Sequence, residues 1–366
     1  MWISREIHIF AENYLYPTQD GGTMTDNLFE VLLPHIKNAI YPVRKPLSDW
    51  KWKENNSKNG HPPKPTDRSW IPIALPFKWG GYDKTVWFYN LILPPYEVIG
   101  KTTVLLFNIP EGLSYLNGKP HQGVDSKHQE ILLSEQTGTE EEFHLSIEAY
   151  SGRKTELNEI RFADIAVLDR TARRLYNSLF LLNELQNILP NPQSKEIREI
   201  IRRTLVFLKY FKPEGEEFQK AILRAFKFLT TTLQTEHKSE INGFIHLVGQ
   251  SHIDVAWLWT LKETAKKCGR TFSTALQLMN EYPEFKYTQS QALLYKLTRN
   301  NYPTIFKRIK ERITESRWEV VSPLWVEPDC NLPNGESLIR HILYGKRYFQ
   351  KELETDSDIL WLPDSF

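Results

Sequence analysis

Three side chains in the second half of the chain have the types that bind a divalent metal. His252 and Asp254 come just after the apolar run FIHLV at residues 244–248, and Asp364 follows the run DILWL at residues 358–362. In an extended backbone, residues i and i+2 point to the same side, so His252 and Asp254 would face one point. One imidazole and two carboxylates suit Zn²⁺ or a similar divalent ion, although a fourth protein ligand is missing. The alternative is that His252 and Asp254 cap the following helix.

The elements that would position these residues alternate between strand and helix. We predict strands at residues 244–248, 285–288, 318–321 and 358–362, and helices at residues 261–281, within 291–315 and at 335–351. This alternation predicts a parallel sheet with crossover helices, either an open doubly wound sheet or the first part of a barrel. Reactive groups in such sheets gather beyond the carboxyl ends of the strands, where Asp364 would meet His252 and Asp254.

The first half of the chain has a different pattern. Short β-branched and aromatic runs predict an antiparallel sandwich with a hairpin turn at Asn117-Gly118; the runs lie at residues 85–93, 101–109, 130–133 and 142–150. Before them we predict an amphipathic helix at residues 25–40 and a loop or extended connector at residues 46–66. After them, apolar spacing predicts helices within residues 163–242, separated by prolines at 190, 192 and 213.

Composition describes a folded protein without a strong electrostatic preference. Apolar residues make up 40% and charged residues 25%, and a formal charge of +1 does not favour a nucleic-acid partner. Charges interrupt the first residues and no apolar run approaches about 18 residues, so we expect a cytoplasmic protein without a membrane segment. Cys268 and Cys330 form no metal-like pair, which fits a reducing compartment. Aromatic residues reach 13%, which favours either core packing or stacking on sugars.

Several sequence motifs resemble one enzyme family. The segment QSHIDVAWLWT at residues 250–260 is similar to the start of the catalytic domain of family 38 glycoside hydrolases, the class II α-mannosidases. The resemblance continues through RTFSTAL at 270–276, QSQALLY at 289–295, WVEPDCNL at 325–332, GES at 335–337, YGKR at 344–347 and LWLPDSF at 360–366. Residues 85–88 and 112–133 are similar to the lectin-like N-terminal region of the family's cytosolic and bacterial branch.

This resemblance implies an activity and a metal. The family contains retaining α-mannosidases that release terminal α-linked mannose from oligosaccharides through a covalent glycosyl-enzyme. By position, His252 and Asp254 match the first two zinc ligands, and Asp364 matches the carboxylate that is both a zinc ligand and the nucleophile. Zn²⁺ is the implied cofactor, with Co²⁺ as an alternative. The implied partner is an α-mannoside oligosaccharide, and the chain could form a homo-oligomer.

Other matched residues receive roles in substrate binding or support. Trp257 matches the aromatic floor under the mannose ring, and Arg270 and Asp329 lie in matched motifs as substrate-binding candidates. Asp329 or Glu327 could instead hydrogen-bond to the metal ligands, or form ordinary structural ion pairs. One departure is Ser322-Pro323, where relatives usually have a glycine pair, so the loop is expected to differ locally.

The implied fold class is multidomain α+β and α/β. We predict an N-terminal helix and connector at residues 1–66, a lectin-like β-sandwich at 67–162, a helical linker region at 163–242 and the first part of a (β/α) barrel-like catalytic domain at 243–366. In this family the acid/base and a second histidine ligand lie well beyond the nucleophile. We therefore expect this polypeptide alone to be marginally folded and close to inactive, as a fragment, an interrupted gene product or one half of a split enzyme.

Two alternative functions stay open at this point. A non-catalytic mannoside-binding fragment would rest on the sandwich alone and would bind mannosides without metal. A metal-dependent carbohydrate deacetylase would also use His and Asp at strand ends and would release acetate, although the motif LPDS around Asp364 argues against it.

Overall fold

The computed structural model describes residues 24–54, 61–213, 215–235 and 245–364. The amino-terminal charged residues, residue 244 of the FIHLV run and residues 365–366 of the last motif lie outside this part. The described chain is a mixed α/β structure built in layers. A group of helices covers one antiparallel sheet, a second antiparallel sheet packs on the first, and further helices with a small parallel sheet cover the second.

Twelve strands build the β-rich part of the chain within the described residues. They are β1 (Val43–Pro46), β2 (Lys51–Glu54), β3 (Ile71–Pro72), β4 (Phe77–Gly80), β5 (Thr85–Ile92), β6 (Thr103–Phe107), β7 (Glu111–Leu116), β8 (Lys119–Asp125), β9 (Glu130–Ser134), β10 (Phe143–Tyr150), β11 (Leu157–Ile160) and β12 (Ala163–Val167). The two larger sheets have the orders β1-β12-β6-β9 and β3-β2-β5-β10-β7-β8, and β4 pairs with β11. In the larger sheet, Ile147 of β10 lies opposite Phe88 of β5 and Ser114 of β7.

The central strands are apolar on both faces because both faces are covered. On β5, Val86 and Phe88 enter the core between the two sheets, whereas Trp87 and Tyr89 enter the core on the other side. β6 alternates in the same way between the shared core and the group of helices. A strand buried on both faces needs a continuous apolar run rather than alternation with polar residues. The predicted strands at residues 85–93 and 101–109 are therefore confirmed, and the aromatic side chains of β5 pack in cores.

The helices on the outside of the first sheet follow the predicted periodicity. They are α1 (Met24–Asn38), α2 (Arg170–Ile188), α3 (Gln193–Val206) and α4 (Glu216–Thr235). Asp169 begins α2 by accepting hydrogen bonds from the backbone N–H groups of Thr171 and Ala172. The predicted helices and their separation at prolines are confirmed.

The opposite side carries a three-stranded parallel sheet in the order β13-β14-β15. Its strands are β13 (Gly249–Gln250), β14 (Tyr287–Gln289) and β15 (Trp318–Val320), and its helices are α5 (Leu261–Glu281), α6 (Ala292–Asn301), α7 (Pro303–Thr314) and α8 (Gly335–Tyr348). Helix α5 approaches β8 closely at Gly123, where a Cβ atom would lie 2.7 Å from Thr274 Oγ1. This close packing joins the sandwich to the region that carries the candidate metal ligands.

Two predicted strands are wrong. Residues 245–248 form no ladder, and their side chains Ile245 and Leu247 are exposed; the ladder begins only at Gly249. Residues 358–362 also form no strand, although the carbonyl of Ile359 accepts a hydrogen bond from Ser322 N at 2.9 Å. A strand needs a partner along its length, and within the described residues neither run has one. The parallel sheet is thus smaller than predicted.

The predicted connector at residues 46–66 contains the strand β2, which we did not predict because the segment is rich in lysine. β2 pairs with β5, with Lys51 opposite Tyr89 and Trp52 opposite Phe88. The sequence Trp-Lys-Trp-Lys at residues 50–53 alternates with period 2, and Trp50 is buried while Trp52 packs on the same core. The sheets therefore draw strands from both sides of residues 67–162. The domain boundaries themselves remain predictions.

Among the helices that the structure describes, none has the length and apolar character needed to cross a membrane.

Candidate metal centre

The structure brings His252, Asp254 and Asp364 together. One ligand atom from each lies within 4.8 Å of the others. His252 Nε2 is 3.3 Å from Asp254 Oδ1 and 3.5 Å from Asp364 Oδ2. The side chains are 29%, 35% and 49% exposed, respectively, so the cluster opens to solvent and a ligand can reach it. The donor set, one imidazole nitrogen and two carboxylate oxygens, fits a divalent ion such as Zn²⁺.

Local backbone geometry places the first two residues on one side. They follow β13 directly, and Ile253 between them is buried in the core that also holds the aromatic face of β5. The alternation of His252 and Asp254 with Ile253 is the period-2 pattern predicted from the sequence. Burial of Ile253 therefore turns both candidate ligands outward.

Asp364 reaches the cluster by a route that differs from the predicted strand. The segment before it is held by the hydrogen bond between Ser322 N and Ile359 O. Lys346 of α8 also pairs with Asp356 at 2.9 Å and with Asp358 at 3.4 Å. Contacts to the neighbouring loop and helix thus position this segment.

A third acidic group, Glu327, contacts the cluster from the other side of the imidazole ring. Glu327 Oε2 lies 2.8 Å from His252 Nδ1, and the Glu327 side chain is only 9% exposed. The Ser290 hydroxyl donates to Glu327 Oε1 at 2.6 Å. Of the two acidic residues that the sequence offered as supports for the ligands, Glu327 is the one in contact.

Sequence reasoning missed Ser290 and Gln291. Gln291 donates from Nε2 to the carbonyl of Ile253 at 3.0 Å and accepts at Oε1 from Glu327 N at 3.3 Å. Both residues follow β14 and are buried. Their position just after a strand in the segment QSQALLY is the signal that could have identified them, since polar groups at strand ends build sites in parallel sheets.

Trp257 lies near the cluster in sequence and presents its ring to solvent. It is 66% exposed and meets Trp259 edge-on, with ring centroids 5.5 Å apart. Ala256 beside it has φ +64°, in the left-handed region that alanine rarely adopts, and its N–H bonds to Thr264 Oγ1. An exposed aromatic face of this kind can stack on a sugar.

Arg270 and Asp329 are not brought to the cluster by any contact among the described residues. Arg270 of α5 is buried, with Nη2 at 2.7 Å from Glu111 Oε1 and 2.6 Å from Glu263 Oε1. Burial opposes the charge of Arg270, but these two carboxylates outweigh it and raise the pKa of the guanidinium. Asp329 accepts from the backbone N–H groups of Asn331 and Leu332 and so stabilises its own turn. Their roles in substrate binding remain predictions.

Ser322-Pro323, where a glycine pair was expected from the resemblance, has a structural consequence. Ser322 has φ +51°, is fully buried, and its hydroxyl has no hydrogen-bond partner in the part of the chain that the structure describes. The Pro323 carbonyl packs against α8 so closely that a Cβ on Gly345 would lie 2.0 Å from it. Glycine in the YGKR motif is therefore required for this contact, and Ser322 carries a conformation that would suit glycine.

Comparisons with known proteins identify a family for the second part of the chain. The N-terminal domain of glycosyl hydrolases family 38 matches residues 242–366. Alpha-mannosidase G of Dictyostelium discoideum is 33% identical over 308 residues, covering 79% of this chain and 28% of that protein. Alpha-mannosidase 2C1 of Homo sapiens is 29% identical over 318 residues, covering 82% of this chain and 30% of that protein. The chain thus spans less than a third of the length of these relatives.

Solved structures give a much weaker likeness. Bacteroides uniformis β-glucuronidase 2 superposes with a TM-score of 0.29 and 15% identity, over 34% of this chain and 18% of that one. This overlap is too small to support an argument about fold or function. The family match and the alpha-mannosidase relatives support the assignment instead, and residues 242–366 of this chain belong to glycosyl hydrolase family 38 as its N-terminal domain.

Proposed function

We propose that this chain carries the nucleophile and metal ligands of a retaining α-mannosidase that removes terminal α-linked mannose from oligosaccharides. The observation that carries the proposal is the solvent-open cluster of His252, Asp254 and Asp364, whose ligand atoms lie within 4.8 Å of one another. The relatives named alpha-mannosidase support the substrate class. The proposal includes a cytoplasmic location and a parallel sheet that begins a barrel-like domain.

His252, Asp254 and Asp364 would hold the metal, Zn²⁺ or Co²⁺. Three protein ligands leave one position of a tetrahedral site for water, substrate or another protein group. When bound, the ion would hold sugar hydroxyls and stabilise the charge of the oxocarbenium-like ring. No positively charged residue contacts the three candidate ligands among those that the structure describes, apart from His252 itself when protonated, so a cation is the natural counter-charge.

Asp364 would act as the nucleophile. Its carboxylate is half exposed, and attack on the anomeric carbon would form a C–O ester bond as the bond to the leaving oxygen breaks. Water would then hydrolyse this ester, and two inversions give overall retention. Trp257 would supply a stacking face for the sugar ring. Retaining hydrolysis also needs a second carboxyl group as acid and base, and the contacts within the described residues single out none for this role.

A mannosyl reagent with an activated leaving group tests the nucleophile directly, because such a leaving group departs without an acid catalyst. A fluorinated α-mannosyl fluoride, incubated with the metal-loaded chain, should add one sugar, and peptide mapping should place the sugar on Asp364. Asp364→Asn should remove the label, whereas Asp358→Asn, which changes an exposed carboxylate on the same segment, should keep it.

The other outcomes would refute the assignment or favour a different function. A label on another carboxylate, or no label on a chain that binds the metal and the reagent, would refute the nucleophile assignment. Mannoside binding that persists without metal would support the non-catalytic module. Release of acetate from an acetylated sugar would support the deacetylase.

A further inference from the structure

The two ring nitrogens of His252 face different groups. Nε2 faces Asp254 and Asp364, at 3.3 and 3.5 Å. Nδ1 faces Glu327 Oε2 at 2.8 Å. Because the two nitrogens point to different sides of the ring, the Glu327 oxygen beside Nδ1 is on the far side from the candidate ligands. Glu327 is therefore placed to act on the imidazole rather than to bind the same ion.

The Glu327 carboxylate is held in this place. One oxygen accepts from the Ser290 hydroxyl at 2.6 Å. The other oxygen is buried and, apart from its approach to the imidazole, has no hydrogen-bond partner within the described part of the chain. A buried carboxylate oxygen without a partner is costly, since its lost hydration is not replaced. The imidazole N–H of His252 is the group that can satisfy it.

Hydrogen bonds of the Gln291 side chain and of the backbone keep Glu327 in place beside His252. The Gln291 side chain links Ile253 O to Glu327 N, so it ties the residues after β13 to the loop after β15. Gln291 itself has φ +69°, a strained conformation for a residue other than glycine. Backbone hydrogen bonds from Ala292 N to Leu324 O and from Leu293 N to Trp325 O join the segment after β14 to the same loop after β15. The distance between Glu327 and His252 is thus set by three strand ends together.

We propose that Glu327 is a positioning residue of the metal centre, which accepts a hydrogen bond from the Nδ1–H group of His252 and so leaves the Nε2 lone pair directed at a divalent ion between Asp254 and Asp364. Carboxylates that orient a ligating histidine in this way fix its tautomer and increase its basicity. The inference rests on the proposed metal site and adds to it a residue that would not itself be a ligand.

Metal affinity at a single pH tests this role. Zn²⁺ or Co²⁺ affinity would be measured by competition with a coloured chelator for the wild-type chain and its variants. Glu327→Ala should weaken binding by about 10- to 100-fold. Glu327→Gln keeps the side-chain shape and the hydrogen bond from Ser290 but removes the charge, so the decrease in metal affinity should be smaller. Glu319→Gln, which removes an exposed carboxylate on β15, should leave the affinity unchanged.

A second measurement separates positioning from a structural role. Nitrogen NMR of the zinc-loaded chain, with the His252 ring assigned by His252→Ala, should show a protonated Nδ1 and a metal-bound Nε2 in the wild type. In Glu327→Ala the proton on Nδ1 should exchange faster with water, while denaturant unfolding of the metal-free variant should show that it still folds. If Glu327→Ala does not fold, the isosteric Glu327→Gln variant decides the question on the same measurements.

The outcomes distinguish this inference from the proposed function. If the wild-type chain binds neither ion, the metal site fails and Glu327 has no role in it. If the wild type binds metal and loses it in His252→Ala, but both Glu327 variants bind equally well, the metal site stands and the positioning role is overturned.

Discussion

Replacing Arg270 by methionine should destabilise the protein strongly, because Arg270 neutralises the buried Glu263 and the half-buried Glu111 where α5 meets the sandwich. Its Nη2 atom lies 2.7 Å from Glu111 Oε1 and 2.6 Å from Glu263 Oε1. The exposed fractions of the side chains are 7% for Arg270, 30% for Glu111 and 6% for Glu263. Methionine fills similar volume but carries no charge, so the change isolates the electrostatic loss.

The two carboxylates should contribute unequally to that loss. Glu111 keeps a partner, since Lys267 Nζ is 2.8 Å from its Oε1. Glu263 would lose the only ion-pair partner that the structure gives it within the described residues. Breaking a buried pair costs about 3–5 kcal/mol, and because Glu111 stays paired we expect about 3 kcal/mol for Arg270→Met. The double variant Arg270→Met/Glu263→Gln removes the stranded charge and should recover much of this loss.

The loss of folding stability in Arg270→Met should also depend on pH. Burial raises the pKa of Glu263 even with Arg270 present, and without Arg270 it should rise further. A carboxyl whose pKa is higher in the folded than in the unfolded state favours folding at low pH, and this contribution is lost as pH rises through the folded pKa. Arg270→Met should therefore be more destabilised at pH 7 than near pH 5.

Urea unfolding of the wild type, both single variants and the double variant at the two pH values measures these effects. A loss below about 1 kcal/mol for Arg270→Met would refute the reasoning, because a buried pair should exceed the range of an exposed one. So would a double variant no more stable than Arg270→Met. A stable Arg270→Met protein that has lost mannoside binding would instead support the substrate-binding role predicted from the sequence.

Two further predictions follow from single side chains. Ser322→Gly should stabilise the fold by about 1 kcal/mol in urea unfolding, because glycine tolerates the left-handed backbone and removes a buried hydroxyl without a partner. Ser316→Gly, at an exposed residue with φ +56°, should stabilise the fold less. Equal gains in stability for the two variants would mean that the Ser322 hydroxyl has no effect. A thiol reagent at neutral pH should modify Cys330 in the native chain and Cys268 only after unfolding. Cys330 is exposed, whereas burial raises the pKa of Cys268 to about 12. Modification of both thiols in the native chain would contradict the packing of α5.

Local sequence pattern was sufficient for most secondary structure. Helix α5 was predicted at its observed bounds, and the strands at the centre of the sandwich were identified, because periodicity records directly which faces of a segment are buried. The pattern failed for β2, where lysines on one face concealed the alternation of Trp50 and Trp52. It also failed for residues 245–248 and 358–362, because an apolar run predicts burial and these runs have no pairing partner within the described chain.

The residue types of the candidate metal centre could also be predicted from the sequence. A histidine and an aspartate two residues apart after an apolar run must face the same side if the backbone is extended, and this part of the site follows from local geometry alone. The position of Asp364 and the approach of Glu327 to His252 depend on contacts between residues far apart in sequence. The same is true of Arg270, whose motif suggested a contact with substrate and whose neighbours are two carboxylates, the buried Glu263 and the half-buried Glu111. Only the tertiary structure decides such pairings, because the path of each connecting loop determines which strand ends meet, and short-range periodicity contains no information about that path.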